Sequence, residues 1–435
     1  MMADVVVIGC GLAGLSAALK LNSRNKDVIL VKKSTGATFF SSGAIDVAGY
    51  YPMARDAYYD SPKECIKDIK KLNTNHPYSK LGDITKIESL YNEWLKLINE
   101  EYKLKGSFDK NIQLINFTGT IKPSNLAAPP IYNGNLKNLN GKSLALLGIV
   151  GFPDFNPKYC QKSLENILSY LNKYELKSIS HFHVNLDKLS EINNLHSMTL
   201  AQYLETEENL NIFIKNIKAD AEILKYDVLA FPSILGVMNS DKIVQKLKES
   251  LKIEVIELLS YPPSVPGYRL QSHLEKLAIK KGIKLLEDLE ITNFQSKNNE
   301  LKSVNGKYGK YKELSIEANE FILATGKYIG GGIKEEKNFI KEGLFNLPIF
   351  DEFGRPALFE PLQKMFKPKV LPKEGQPFLS VGIKINDSFK PIDSKNQVIF
   401  ENLKAAGLIL SGYNYVSEKN GLGVAFLTGM AAGGN

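Results

Sequence analysis

The residues in this chain whose types and spacing suit chemistry fall into a few groups. Gly9, Gly11 and Gly14 form G-x-G-x-x-G directly after an apolar run. The first glycine allows a tight turn, the second lets backbone approach a phosphate, and the third lets a helix pack on a strand. Backbone N–H groups at the start of that helix then face an anion, and the helix dipole favours its charge. Ala324, Thr325 and Gly326 give an A-T-G at a strand end, where open α/β sheets place ligands. Ser411 and Gly412, with Gly421 and Gly423, form a late glycine-bearing loop ahead of an apolar helix, a second anion- and ring-binding N-terminus. Ser41, Ser42 and Gly43 make a small, hydroxyl-bearing loop able to lie against a ring or a phosphate. His76, in H-P-Y-S, is the candidate base. Arg269, one of four arginines, is the candidate cation for a phosphate or carboxylate.

Regular elements must position these groups. Val5 to Ile8 reads as a buried parallel strand, and the run Leu15 to Leu21 as the helix after the turn. Asp27 to Lys33 reads as the second strand. A dinucleotide fold carries an acid near its end, about 20 residues past the glycines, to hold the adenosine ribose. Here Lys32 and Lys33 occupy that place. Three explanations stay open. The lysines meet an extra phosphate, as in NADP; or no adenosine is bound and the ligand is a mononucleotide such as FMN; or Ser34, Thr35 or backbone replaces the acid in an ordinary FAD site.

Helices are expected at Lys63–Leu72, Lys86–Tyr102, Lys158–Tyr174, Leu200–Asn209 and Asp241–Leu251. Strands are expected at Ser143–Val150, Ile179–Leu186, Val228–Phe231, Ile253–Leu258 and Ile316–Gly326. The prolines of Ser260–Leu270 fix a loop that carries Arg269 towards a helix running through Lys281, and Val424–Ala432 closes the chain as a helix. The expected fold is α/β. A Rossmann-like flavin-binding domain is assembled from N-terminal, middle and C-terminal segments, residues 1–104 and 261–435, around an inserted α/β cap at 105–260.

Composition narrows the class. A hydrophobic content of 43% and a charged content of 23% over 435 residues describe a globular protein with chain enough for sizeable cores. The net charge of +8 is almost all lysine, without the clustered basic and aromatic residues of a nucleic-acid groove. No apolar run approaches the roughly 20 residues of a membrane span, and no basic leader precedes the first strand. Cys10, Cys65 and Cys160 are isolated, which points to a reducing cytoplasm and leaves too few thiolates for an iron–sulfur cluster.

Four stretches run in order over almost the whole chain. They are F-S-S-G-A-I-D (Phe40–Asp46), H-P-Y-S-K-L-G (His76–Gly82), P-P-S-V-P-G-Y-R-L-Q (Pro262–Gln271) and the C-terminal glycine helix. With these the chain resembles the two-motif flavoprotein oxidoreductases, which include the fumarate reductase flavoproteins. Within that class it is most similar to the B subunits of anaerobic glycerol-3-phosphate dehydrogenases. The resemblance implies a cytoplasmic flavin subunit holding FMN, with FAD as second choice. It also implies two partners: an FAD-bearing catalytic A subunit, and an iron–sulfur C subunit that holds the complex on the inner face of the membrane. Such a complex oxidises sn-glycerol 3-phosphate to dihydroxyacetone phosphate and passes electrons to quinone. Substrate oxidation is then expected on the FAD-bearing partner, with this chain as relay. One position departs from the wider class: Leu408 stands after A-A-G where an acid usually holds the ribityl chain, so the flavin is held by backbone or Ser411, or held weakly. Three other readings remain: a self-sufficient FAD-dependent reductase of the fumarate reductase type, a flavin-poor structural subunit, and an NADP-dependent reductase resting on Lys32 and Lys33.

Overall fold

In the computed structural model of the chain, the described residues are 1–51, 58–186, 195–309, 312–336, 339–357 and 365–434. The first strand, β1 (Met2–Ile8), lies inside the main sheet, and its Val5, Val6 and Val7 are wholly buried, as a strand covered on both faces requires. The turn at Gly9 leads into α1 (Leu12–Asn22), and β2 (Val28–Val31) then returns parallel to β1, with Val5 opposite Val28 and Ile8 opposite Val31.

Two capped helices follow. Ser61 caps α2 (Pro62–Leu72), and Asp83 caps α3 (Ile84–Ile98) by accepting from Lys86 N at 2.8 Å. Ile87, Leu90, Tyr91, Trp94 and Ile98 recur at helical spacing and form the buried face of α3. The Trp94 indole donates to Ser16 Oγ of α1 at 2.9 Å and stacks on Phe426 with 4.3 Å between ring centroids. That contact ties this excursion to both ends of the chain.

A hairpin of β3 (Ile112–Ile115) and β4 (Ile121–Ser124) comes next. Then come β5 (Ser143–Ile149), β6 (Ser178–Val184), β7 (Val228–Phe231) and β8 (Glu254–Glu257). They form a second, wholly parallel sheet in the order β6-β5-β7-β8, with its own apolar core around Leu146, Phe213 and Phe231. The expected single helix at Leu200–Asn209 is instead two, Ser197–Tyr203 and Glu207–Lys218. Thr206 accepts from Asn209 N and restarts the helix, and Leu210, Phe213, Ile214 and Ile217 bury its face. Arg269 is not carried on a loop. Ser264 caps a helix at Val265–Lys280, with Pro266 in its first turn, so Arg269 sits inside that helix.

The chain then returns to the main sheet through β9 (Lys284–Leu286), β10 (Leu289–Lys297), β11 (Glu300–Tyr308) and β12 (Lys312–Leu323). The order is β10-β11-β12-β1-β2-β9, and the short strand Leu403–Ala405 pairs parallel with the end of β12. The closing helix spans Gly421–Gly434 and lies on α1 so closely that a Cβ at Gly429 would stand 2.3 Å from Ala13 O. The molecule is thus a mixed α/β protein whose main sheet draws its strands from both ends of the sequence.

Candidate functional site

A cleft of about 660 Å³ opens at the carboxyl ends of β1, β2 and β12, where Ile8, Val31 and Ala324 line it. Its size suits a small organic ligand or cofactor. Gly9 makes the floor possible: it has φ +114°, and a Cβ there would meet Ala324 O at 2.3 Å. Gly14 does not line the cleft but sets α1 against the turn, since its Cβ would fall 1.8 Å from Gly9 O. The first turn of α1 faces the cleft through Gly11, Leu12 and Ala13, and Leu12 N is held by Thr38 Oγ1 at 3.1 Å. The closing helix brings a second N-terminus to it through Gly421 and Leu422. Thr325 Oγ1 is buried there without a hydrogen-bond partner among the described residues, a polar group that suits a ligand oxygen.

Of the residues singled out from the sequence, Gly9, Gly11, Lys33, Ser41, Ser42, Ala324, Thr325, Gly326 and Gly421 line the cleft together. Others stand behind it. Gly43 packs on Pro266, Gly423 on Val47 and Tyr78, and Gly412 on Asn75, while Ser411 Oγ donates to Ile383 O at 3.3 Å. Lys32 lies between Glu275 (2.8 Å) and Glu287 (2.9 Å). Burial pushes its ammonium down, but the hydrogen bonds to these two carboxylates outweigh it and raise Lys32 above its ordinary value. Cys10, inside the glycine turn, is made a poorer acid by burial and then by Glu275.

His76 and Arg269 are not among the residues lining the cleft. His76 is fully buried. Its Nδ1 accepts from Tyr78 N at 3.0 Å, so the proton sits on Nε2 and donates to Glu418 Oε2, also at 3.0 Å. Arg269 is 1% exposed and grips Glu257 through two nitrogens, at 2.6 and 3.0 Å, with Gly236 O as a third partner. Burial opposes its charge, and Glu257 more than restores it. Both residues brace the fold in these positions: His76 ties its loop to the segment before the closing helix, and Arg269 ties its helix to β8.

The sequence reading missed several charged residues that line the cleft. Lys327 directly follows A-T-G, and that adjacency was the available signal. It is 3% exposed, donates to Leu379 O at 2.7 Å and lies over the rings of Tyr413 and Tyr415. Burial alone lowers its ammonium from 10.5 to about 7. Lys33 pairs with Glu290 at 2.7 Å, a carboxylate brought in by β10. Asp46 accepts from Lys122 Nζ and Ser124 Oγ, each at 2.5 Å, and Lys419 Nζ stands 4.1 Å from the centroid of the Tyr50 ring.

A family model described as an FAD binding domain matches residues 4–424. The chain is 28% identical over 437 residues to the B subunit of anaerobic glycerol-3-phosphate dehydrogenase from Vibrio vulnificus (strain YJ016), covering 99% of this chain and 95% of that one. It is 26% identical over 441 residues to the protein of the same name from Haemophilus influenzae, with 98% of each chain covered. Among solved structures, the open conformation of a flavocytochrome c3 fumarate reductase matches over all of this chain and 78% of the other, at 12% identity and a TM-score of 0.43.

Proposed function

The chain belongs to the family of FAD-binding domains and is a flavoprotein oxidoreductase, and we propose that it is the flavin subunit of an anaerobic sn-glycerol-3-phosphate:quinone oxidoreductase. In that role it serves a complex that converts glycerol 3-phosphate to dihydroxyacetone phosphate. Substrate is oxidised on the FAD-bearing A subunit, and this chain relays the electrons to a membrane-held iron–sulfur C subunit, and from there to quinone. The observation that carries the reading is the cleft itself, set between two helix N-termini over a glycine turn with no room for a Cβ, and lined by the orphaned hydroxyl of Thr325. The names of the relatives above supply the complex.

These residues fit a flavin nucleotide. When bound, a flavin accepts a hydride and can release electrons singly. The chain's part is to bind and orient it: α1 and the closing helix offer N–H groups to its charged oxygens, Gly9 and Gly11 let backbone come close, and Thr325 offers a hydroxyl. FMN is the first choice, because β2 is followed by two lysines rather than an acid. One observation favours FAD instead. The lining continues past Val31 to Leu289, Glu290 and Ile291, so a carboxylate from β10 stands beside Lys33 where β2 offers none. An external iron–sulfur partner suits a chain whose three cysteines are buried and free and whose described residues hold no metal-binding cluster. An external membrane anchor suits described residues with no helix long and apolar enough to cross a membrane.

The test is to purify the chain, with its neighbouring subunits if needed, denature it, and identify the released nucleotide by chromatography. FMN supports the relay reading. FAD moves weight to an independent dehydrogenase, and a folded protein free of flavin overturns the assignment in favour of a structural role.

A further inference from the structure

One exposed stretch lies outside the cleft and plays no part in holding a flavin. Residues 366–375 read F-K-P-K-V-L-P-K-E-G, lysines alternating with apolar residues around two prolines. Phe366, Val370 and Leu371 are 52%, 82% and 78% exposed. Phe353, which lines a smaller hollow of about 370 Å³ together with Lys367, is 66% exposed. A single exposed leucine means little, but several large apolar side chains gathered on one surface mark a contact site.

The loop has a built shape. Gln376 holds it from inside: its Oε1 accepts from Lys367 N at 2.7 Å, and its Nε2 donates to Lys369 O at 2.7 Å and to Val370 O at 3.0 Å. Gly375 N closes the turn on Pro372 O at 2.9 Å, and the buried Asn414 ties Gln376 O to the body at 3.0 Å. With those backbone groups bonded inward, Val370 and Leu371 are left at the outer tip. Charge follows the same pattern. The stretch holds three lysines against one glutamate, and Lys367 meets that glutamate, Glu374, at 3.3 Å. Lys369 is exposed and makes no ion pair among the described residues.

We propose that residues 366–373 form a lipid-contacting loop, which sinks Phe366, Val370 and Leu371 into the head-group boundary of an anionic bilayer while its lysines meet lipid phosphates. Apolar side chains gain burial at that depth, and lysines beside them gain attraction to the negative surface. A bilayer needs no shaped groove. A stable protein interface uses about 20–30 residues a side, many more than this tip presents. Leu379, just beyond Gln376, accepts from Lys327 of the cleft at 2.7 Å, so a docked loop also holds the nucleotide cleft near the membrane. This goes beyond the function proposed above, in which the membrane is met only through a partner subunit.

The test uses the purified full chain without partner subunits, so that no other chain supplies the membrane contact, and measures the nucleotide released from each sample. The chain is sedimented with vesicles of phosphatidylcholine alone, and with vesicles of phosphatidylcholine and phosphatidylglycerol in equal parts. It should bind the anionic vesicles about tenfold more tightly than the neutral ones, and more weakly as salt rises. Val370→Ser combined with Leu371→Ser should lower that affinity about tenfold at an unchanged Tm, because both side chains are exposed. Lys369→Glu should also lower it, and Lys369→Arg should keep it. A chain that stays in solution with anionic vesicles, or a double variant that sediments as the parent does, overturns the lipid contact. So does a double variant that binds vesicles normally but no longer assembles with the other subunits, which assigns the loop to a protein interface. Vesicle binding by a folded chain free of flavin overturns the flavin reading and leaves the lipid contact standing.

Discussion

Replacing Lys327 by methionine should stabilise this protein at neutral pH and flatten its response to alkali. Lys327 is buried against Tyr413, Tyr415 and Leu379 O with no carboxylate bonded to it among the described residues, and burial lowers it from 10.5 to about 7. Its folded pKa lies below its unfolded one, so between these values the unfolded chain holds a proton that the folded chain lacks. Stability must then rise with pH across that window. At 1.36 kcal/mol per unit, burying this lysine costs about 4 kcal/mol at pH 7 and about 2 kcal/mol at pH 9. Methionine removes that cost and gives up the hydrogen bond to Leu379 O, worth about 1 kcal/mol. The variant should therefore be more stable by roughly 3 kcal/mol at pH 7, an advantage that shrinks by about 2 kcal/mol at pH 9. Trp94 is the only tryptophan and is buried beside α1 and the closing helix, so its fluorescence during urea unfolding reports the main domain. Parallel shifts of the two proteins from pH 7 to pH 9 would refute the argument, because they would mean that Lys327 stays charged in its buried place.

Removing one partner of the buried Arg269–Glu257 pair strands a charge, so Arg269→Met should cost about 3–5 kcal/mol by urea unfolding. Adding Glu257→Leu to it should recover most of that loss, and a double variant no better than the single one would sink the idea. A methyl at Gly14 would collide with Gly9 O, so Gly14→Ala should push α1 off the turn and leave roughly a tenth or less of the parent's releasable flavin. Equal flavin content in the two proteins would count against the cleft. His76→Ala leaves Glu418 short of a donor and Tyr78 N without its acceptor, which should lower stability by about 2 kcal/mol. If instead turnover in the assembled complex falls while stability holds, His76 acts in the chemistry and not only as a brace.

Where structure follows from neighbours in sequence, reading the chain went far. The strand, glycine turn and helix of residues 2–22 are a local pattern: Val5 to Ile8 bury both faces, and Gly9 and Gly14 are required by contacts within a few residues or across one strand pair. The A-T-G at the end of β12 was legible for the same reason, since an apolar strand ending in small residues marks itself. The misreadings came from partners far along the chain. Lys32 looked free to meet a phosphate because Glu275 and Glu287, which hold it, come more than 240 residues later. Arg269 looked like a loop cation because its Pro-Gly context hid a helix start whose cap is Ser264. Lys122 carried no signal at all: it sits on a short hairpin, and only the fold brings it to Asp46.

The packing of the closing helix on α1 sets the order in which this protein can acquire its shape. β1 needs β12 at its side, the end of β12 needs Leu403–Ala405, and α1 is covered by a helix about 410 residues further on. Contacts of such long separation form slowly, because a large loop must close before they return any free energy. A ribosome releasing the chain from its first residue thus exposes α1, an almost wholly apolar helix, well before its cover is made. The wholly parallel sheet of β5 to β8 draws all its strands from residues 143–257 and can collapse earlier. Nascent chains stalled before about residue 400 should therefore protect β5–β8 from protease while leaving the glycine turn open to chaperones. The nucleotide cleft is among the last features of the molecule to exist.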